Sequence, residues 1–145
     1  MGLDQFWDYV FSKKIFSVKH INLDSCDLEE IPPPIFDLRN LETLSLEHNR
    51  INEIPQEIGN LNFLKWLFLN DNEISMLPDS IEHLSSLEEL YLSKNLLRSL
   101  PESLLKMKSL REIWVLNIPI REVPSNLKNA HFDIRDDVFY KKLMG

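Results

Sequence analysis

The residues of this chain that could do chemistry are few and scattered. His20, His48, His83 and His131 fall in separate stretches, and no two stand at metal-ligand spacing. A zinc site between His20 and His48 on neighbouring strands is the one pairing that would help, set against solvated surface histidines. Cys26 is the single cysteine, so no internal disulfide can form, and a buried structural thiol is expected rather than a nucleophile. Gly2, Gly59 and Gly145 are the only glycines, too few for a loop that cradles phosphate. The carboxylates suit surface charge. No catalytic residue, metal or cofactor is expected, and the chain reads as non-catalytic.

Regular spacing belongs to the apolar residues. Val18, Leu41, Leu64, Leu87 and Leu110 recur every 23 residues, and Pro32, Pro55, Pro78, Pro101 and Pro124 keep the same interval. Five registers without a slip define a repeat array. Each copy runs L-x-x-L-x-L-x-x-N-x-I/L-x-x-L-P and continues into a segment with apolar residues three apart. Leu64, Leu67, Leu69, Asn72, Ile74, Leu77, Pro78, Ile81 and Leu84 show the full pattern. On these residues, the stretch 18–127 resembles the leucine-rich repeat family in its 23-residue L-P-x-x-I-G-x-L subtype, which Ras-suppressor-like, Scribble-like and small spirochaete proteins share. The resemblance implies an α/β right-handed solenoid: a short horseshoe arc with a parallel sheet on the concave face and short helical or extended segments on the convex face. It implies protein binding without choosing a partner.

The elements follow from the pattern. Each L-x-L pair alternates with period two and predicts a short strand. Successive strands are one repeat apart and must run parallel, with right-handed returns. Asn49, Asn72 and Asn95 should turn inward and satisfy loop backbone groups. Ile118 ends that ladder and marks the fifth repeat as terminal. The prolines suit the first turn of short helical returns, whereas the run Pro32, Pro33, Pro34 favours an extended return in the first repeat.

One domain, 1–145, is expected. Residues 1–17 form an amphipathic helical cap over 3–16, with Asp4 as N-cap and Leu3, Phe6, Trp7, Val10 and Phe11 inward. Residues 128–145 hold an edge strand, with Ala130, Phe132 and Ile134 on its inner side, and a closing segment bearing Val138, Phe139 and Leu143.

The net charge of -7 argues against nucleic acid as partner, since phosphate binding needs a clustered basic surface. Charge is uneven along the array: residues 1–90 hold 6 Lys+Arg against 17 Asp+Glu, and residues 91–145 hold 10 against 6. This dipole could steer a partner of matching polarity. No apolar run approaches the roughly 18 residues of a membrane span. The first residues carry Asp4 and Asp8 and no signal-peptide pattern, so a cytoplasmic location is expected, or a secreted one if a leader was removed.

What remains is surface. The outward position between the two strand leucines reads Asn22, Ser45, Phe68, Tyr91 and Trp114 along the array, so polar residues give way to aromatic ones. Trp66 stands two residues before Phe68, and Leu116 extends the patch beyond Trp114. Lys65, Asp71, Glu88, Glu89, Lys94, Arg111 and Glu112 form a charged rim. Four exposed rings of about 150–250 Å² each would mark a binding surface; mutual packing of the rings would instead stiffen the sheet. A concave-face module for a peptide, loop or domain face is the expectation. Homodimerisation through the same rings is the alternative, and the resemblance adds regulation of a GTPase or phosphatase as another.

Overall fold

In the computed structural model, residues 3–12, 17–121 and 124–135 are described. Helix α1 (Leu3–Ser12) leads into β1 (His20–Asn22), β2 (Thr43–Ser45), β3 (Trp66–Phe68), β4 (Glu89–Tyr91), β5 (Glu112–Trp114) and β6 (Asp133–Arg135). These strands form one parallel sheet in chain order. The central residue of each strand points inward, and Leu44, Leu67, Leu90 and Ile113 are completely buried in register with one another. Burying a leucine side chain of this kind is worth about 1.5–3 kcal/mol. One apolar core runs the length of the array, from Trp7 in the cap to Ile134 in the last strand.

The cap differs in detail from expectation. Asp4 lies within the first turn of α1 rather than at its N-cap, where its charge complements the helix dipole. Trp7 is buried. The side chains of Leu3, Phe6, Val10 and Phe11 lie outside the described residues, as do residues 13–16, Val123 and the closing segment with Val138, Phe139 and Leu143. The expected edge strand is present as β6, with Phe132 and Ile134 buried. Its pairing of Asp133 with Glu112 shortens the step between strands from 23 residues to 21.

Every return contains a five-residue 3-10 segment immediately after the repeat proline: Pro33–Asp37, Gln56–Asn60, Asp79–His83, Glu102–Lys106 and Ser125–Asn129. The first repeat is no exception, so the expected extended return is corrected. Pro32 accepts a hydrogen bond from the Ile35 backbone N–H at 3.0 Å, as Pro55 does from Ile58 at 3.1 Å. Pro33 and Pro34 occupy the first two positions, which have no intrahelical donor to give, so a proline run is compatible with the turn.

The loops after the strands hold the side-chain ladder. Asn72 Oδ1 accepts from Ile51 N–H at 3.0 Å, while its Nδ2 donates to Leu46 O at 2.9 Å and Leu69 O at 3.2 Å. Asn95 repeats this towards Ile74, Leu69 and Leu92, and Asn49 towards Cys26, Leu28, Leu23 and Leu46. Each amide therefore stitches its own loop to the one before. Cys26 shares this register but is exposed, which overturns the buried thiol. A side chain at this position reaches back to the preceding repeat, and the first repeat has none. Its loop also carries left-handed residues on both sides of the cysteine, Ser25 at φ 55° and Asp27 at φ 58°.

Left-handed backbone recurs at His48, Asp71, Lys94 and Asn117, each at the register of Ser25. No glycine serves any of these bends. The conformation costs a residue with a Cβ about 1–2 kcal/mol, which the hydrogen-bonded loop around it must offset.

Candidate binding face

Because strand side chains alternate, the two residues flanking each buried centre stand on the open face. Two rows run across the sheet. One reads His20, Thr43, Trp66, Glu89, Glu112, Asp133, and the other reads Asn22, Ser45, Phe68, Tyr91, Trp114, Arg135.

Phe68, Tyr91 and Trp114 are brought together as the sequence predicts. Phe68 stacks on Tyr91 with ring centroids 4.6 Å apart and planes 17° from parallel, and Tyr91 stacks on Trp114 at 5.8 Å and 11°. The mutual packing is therefore real. All four aromatic side chains, Trp66 included, are half-buried rather than fully exposed. Tyr91, covered on both faces, offers a partner mainly its edge. Trp66 stands in the other row, with the Lys65 ammonium 5.8 Å from its ring centroid.

The polar ends of the rings are engaged on their own strands. The Tyr91 hydroxyl donates to Glu89, and Trp114 Nε1 donates to Glu112 at 3.1 Å. Burial first, then the hydrogen bond and charge of Glu89, then the charges of Glu112 and Glu47, push the Tyr91 hydroxyl up to about 12. A negative field sits at the middle of the face.

Of the predicted rim, Glu89 and Glu112 stand on the open face itself, in the row with Trp66, and the others belong to two ladders flanking the strands. Before the strands, Lys19, Glu42, Lys65, Glu88 and Arg111 share one register and alternate in sign. Lys19 and Lys65 reach Glu42 at 2.7 and 2.8 Å, and Arg111 reaches Glu88 at 3.5 Å. Hydrogen bonds from Lys19 and then Lys65 pull the Glu42 carboxyl down to about 2. After the strands, Asp71 lies between His48 at 2.9 Å and Lys94 at 3.7 Å. Beside it runs a second chain of contacts: Asp24 accepts from Glu47 N–H at 2.8 Å, Asn70 from Ser93 N–H at 2.8 Å, and Ser93 from Leu116 N–H at 3.0 Å. Leu116, half-buried, closes this column. Both ladders follow the 23-residue columns of the sequence and carry no motif along the chain.

His20 and His48 do not form a site. His20 bonds Thr43 Oγ1 at 2.9 Å on the sheet, whereas His48 sits in a loop against Asp71. Among the described residues no group of three His, Cys, Asp or Glu is placed to hold a metal ion, and no helix is long and apolar enough to cross a membrane. Among the described residues the exposed large apolar side chains are Phe63, Met76 and Leu96, none of them on a strand and none expected from the sequence.

A parallel sheet of short strands with an asparagine ladder and 3-10 returns defines a leucine-rich repeat solenoid. A family profile for a leucine-rich repeat region matches residues 8–132, and the chain belongs to that family. Among solved structures it is similar to a leucine-rich repeat protein of Leptospira interrogans, at 28% identity and TM-score 0.79 over 93% of this chain and 36% of that one. Internalin C2 of Listeria monocytogenes matches at 26% identity and TM-score 0.74, over 85% of this chain and 53% of that one. A chain of the Toll-Spatzle complex of Drosophila matches at 28% and 0.72, over 83% of this chain and 17% of its own length. The chain thus spans roughly a sixth to a half of these three proteins. No curated protein matches significantly. Leucine-rich repeat regions typically act as protein-protein interaction modules and are generally non-catalytic.

Proposed function

We propose that this arc binds a peptide, a loop or one domain face on the open side of β3 to β6. The observation that carries the reading is the change of residue type along one row: polar Asn22 and Ser45, then three stacked rings in register. A hydrophobic core that ends on an open face, edged by charged residues, suits an anchor zone with a polar rim. Trp66, Phe68, Tyr91, Trp114 and Leu116 supply apolar contact. Lys65, Asp71, Glu88, Glu89, Lys94, Arg111 and Glu112 set orientation. The match to a chain from a protein-protein complex supports the mode of action. The 23-residue subtype rests on the motif itself, and regulation of a GTPase or phosphatase rests only on the resemblance to that subtype, since no residue of this chain selects such a target.

The test is light scattering after size-exclusion chromatography on wild type and a Trp66→Ala, Trp114→Ala double variant. A monomer in both, with the variant folded, is the expected result. A wild-type dimer that becomes a folded monomer assigns the rings to self-association and overturns the module reading.

A further inference from the structure

The basic side chains around the open face are already occupied. Lys65 pairs with Glu42, Lys94 with Asp71 and Arg111 with Glu88. On the face itself, Glu89, Glu112 and Asp133 are successive register partners on β4, β5 and β6. Parallel neighbours stand about 4.8 Å apart, and like charges directly opposite destabilise a sheet. At the β6 end this row is compensated. Arg135 Nη2 lies 3.0 Å from Glu112 and 3.1 Å from Asp133, so one guanidinium bridges two carboxylates.

The β4 end lacks such a group. Glu89 accepts from the neutral Tyr91 hydroxyl, and no ion pair reaches it among the described residues. Its register partner on β3 is Trp66. The unbalanced charge of the face is therefore negative and lies beside the ring stack.

We infer that the occupant of this face is an extended, basic segment of a partner protein. Its arginine or lysine head docks on Glu89 and Glu112 beside Trp66, as Arg135 docks one strand further on. The apolar stem of such a side chain lies along the rings while its head stays at the carboxylates. This rests on the reading of the face as a binding surface and adds the partner's charge.

Three synthetic probes test it: Ac-Leu-Arg-Leu-Arg-Leu-amide and the same peptide with glutamine or glutamate in place of arginine. Each is titrated into nitrogen-15-labelled protein while the indole N–H signals of Trp66 and Trp114 are followed. The arginine peptide should shift both signals and bind about tenfold more tightly than the glutamine peptide at low salt, with the difference shrinking as salt rises. Glu89→Gln should abolish that preference. Glutamine still accepts from Tyr91 and removes one of three adjacent charges, so the free variant should melt no lower than wild type. Equal binding of the arginine and glutamine peptides, or a preference that survives Glu89→Gln, overturns the cation site and leaves the face a binding surface. Failure of all three peptides to move either indole overturns both readings.

Discussion

Replacing Asn72 by alanine isolates one rung of the ladder that joins the repeats. Asn72 is buried and its Oδ1 is the acceptor for the Ile51 N–H, whose own residue is fully buried. Its carbonyl partners are better provided. Leu46 O keeps Asn49 at 2.9 Å, Leu69 O keeps Asn95 at 2.8 Å, and Asn70 O keeps the His48 backbone N–H at 3.1 Å. The variant therefore strands one buried donor, a cost of about 1–3 kcal/mol. With the bonds lost from the amide, about 2–4 kcal/mol is expected in total.

Two further variants sharpen the expectation. Asn49→Ala should cost more, because Leu28 N–H loses its acceptor and Leu23 O loses its donor together. Asn72→Asp keeps the acceptor for Ile51 but aims a buried charge at the Leu46 and Leu69 carbonyls, and should be worse than alanine. Asn22→Ala is the control: its side chain is exposed and bonds Asp24, and the change should stay within about 0.5 kcal/mol. Urea unfolding gives the values by linear extrapolation. An Asn72→Ala variant within about 0.5 kcal/mol of wild type, or an Asn72→Asp variant no worse than alanine, would refute the ladder as the connection between loops.

Three other perturbations follow from the same structure. Glu42 has a folded pKa of about 2 against 4.5, so it stabilises the fold above 4.5 and loses that contribution as pH falls towards 2; melting temperatures across this window should fall less steeply in Glu42→Gln, and an unchanged acid limb would show that Lys19 and Lys65 contribute nothing. Tyr91, raised from 10.0 to about 12, favours folding while it stays neutral and weakens it as pH rises through that interval; tyrosinate absorbance should show a late component that is lost in Tyr91→Phe and moves earlier in Glu89→Gln, and a Tyr91 that ionises near 10 would contradict its burial beside Glu89. A Cβ on Gly59 would lie 3.0 Å from Ser80 O and 3.2 Å from Ser80 Cβ; Gly59→Ala should cost about 1–3 kcal/mol through overpacking between adjacent returns, outweighing its entropic gain, and a stabilised variant would mean that the returns yield easily.

The array was legible because every repeat must solve the same problem. A parallel strand needs one buried residue between two outward ones, the loop after it needs an amide, and the return needs an apolar residue three beyond the proline. Leu67, Asn72 and Ile81 answer those needs in the third repeat, and residues 23 positions away answer them on either side. The row of Phe68, Tyr91 and Trp114 was legible for the same reason, since register alone sets them about 4.8 Å apart. Their ring planes were not, because side-chain torsions depend on neighbours. Two half-buried faces closing on Tyr91 turned an expected open patch into a stack.

The misreadings all lie where a repeat meets something other than its own copy. Cys26 occupies an asparagine register, yet that register has meaning only with a loop behind it, and the first repeat has none to stitch. Successive prolines extend in an isolated chain, whereas a 3-10 turn held by the next return asks for no donors at Pro33 and Pro34. The same reasoning explains the charged columns. Lys19, Glu42, Lys65, Glu88 and Arg111 are distant along the chain and adjacent across the sheet, so their alternation stabilises stacking only once stacking exists. Glu89, Glu112 and Asp133 break that alternation on the open face. A column that keeps like charges side by side, in a protein that alternates them a few ångströms away, is where a cation from outside has most to offer.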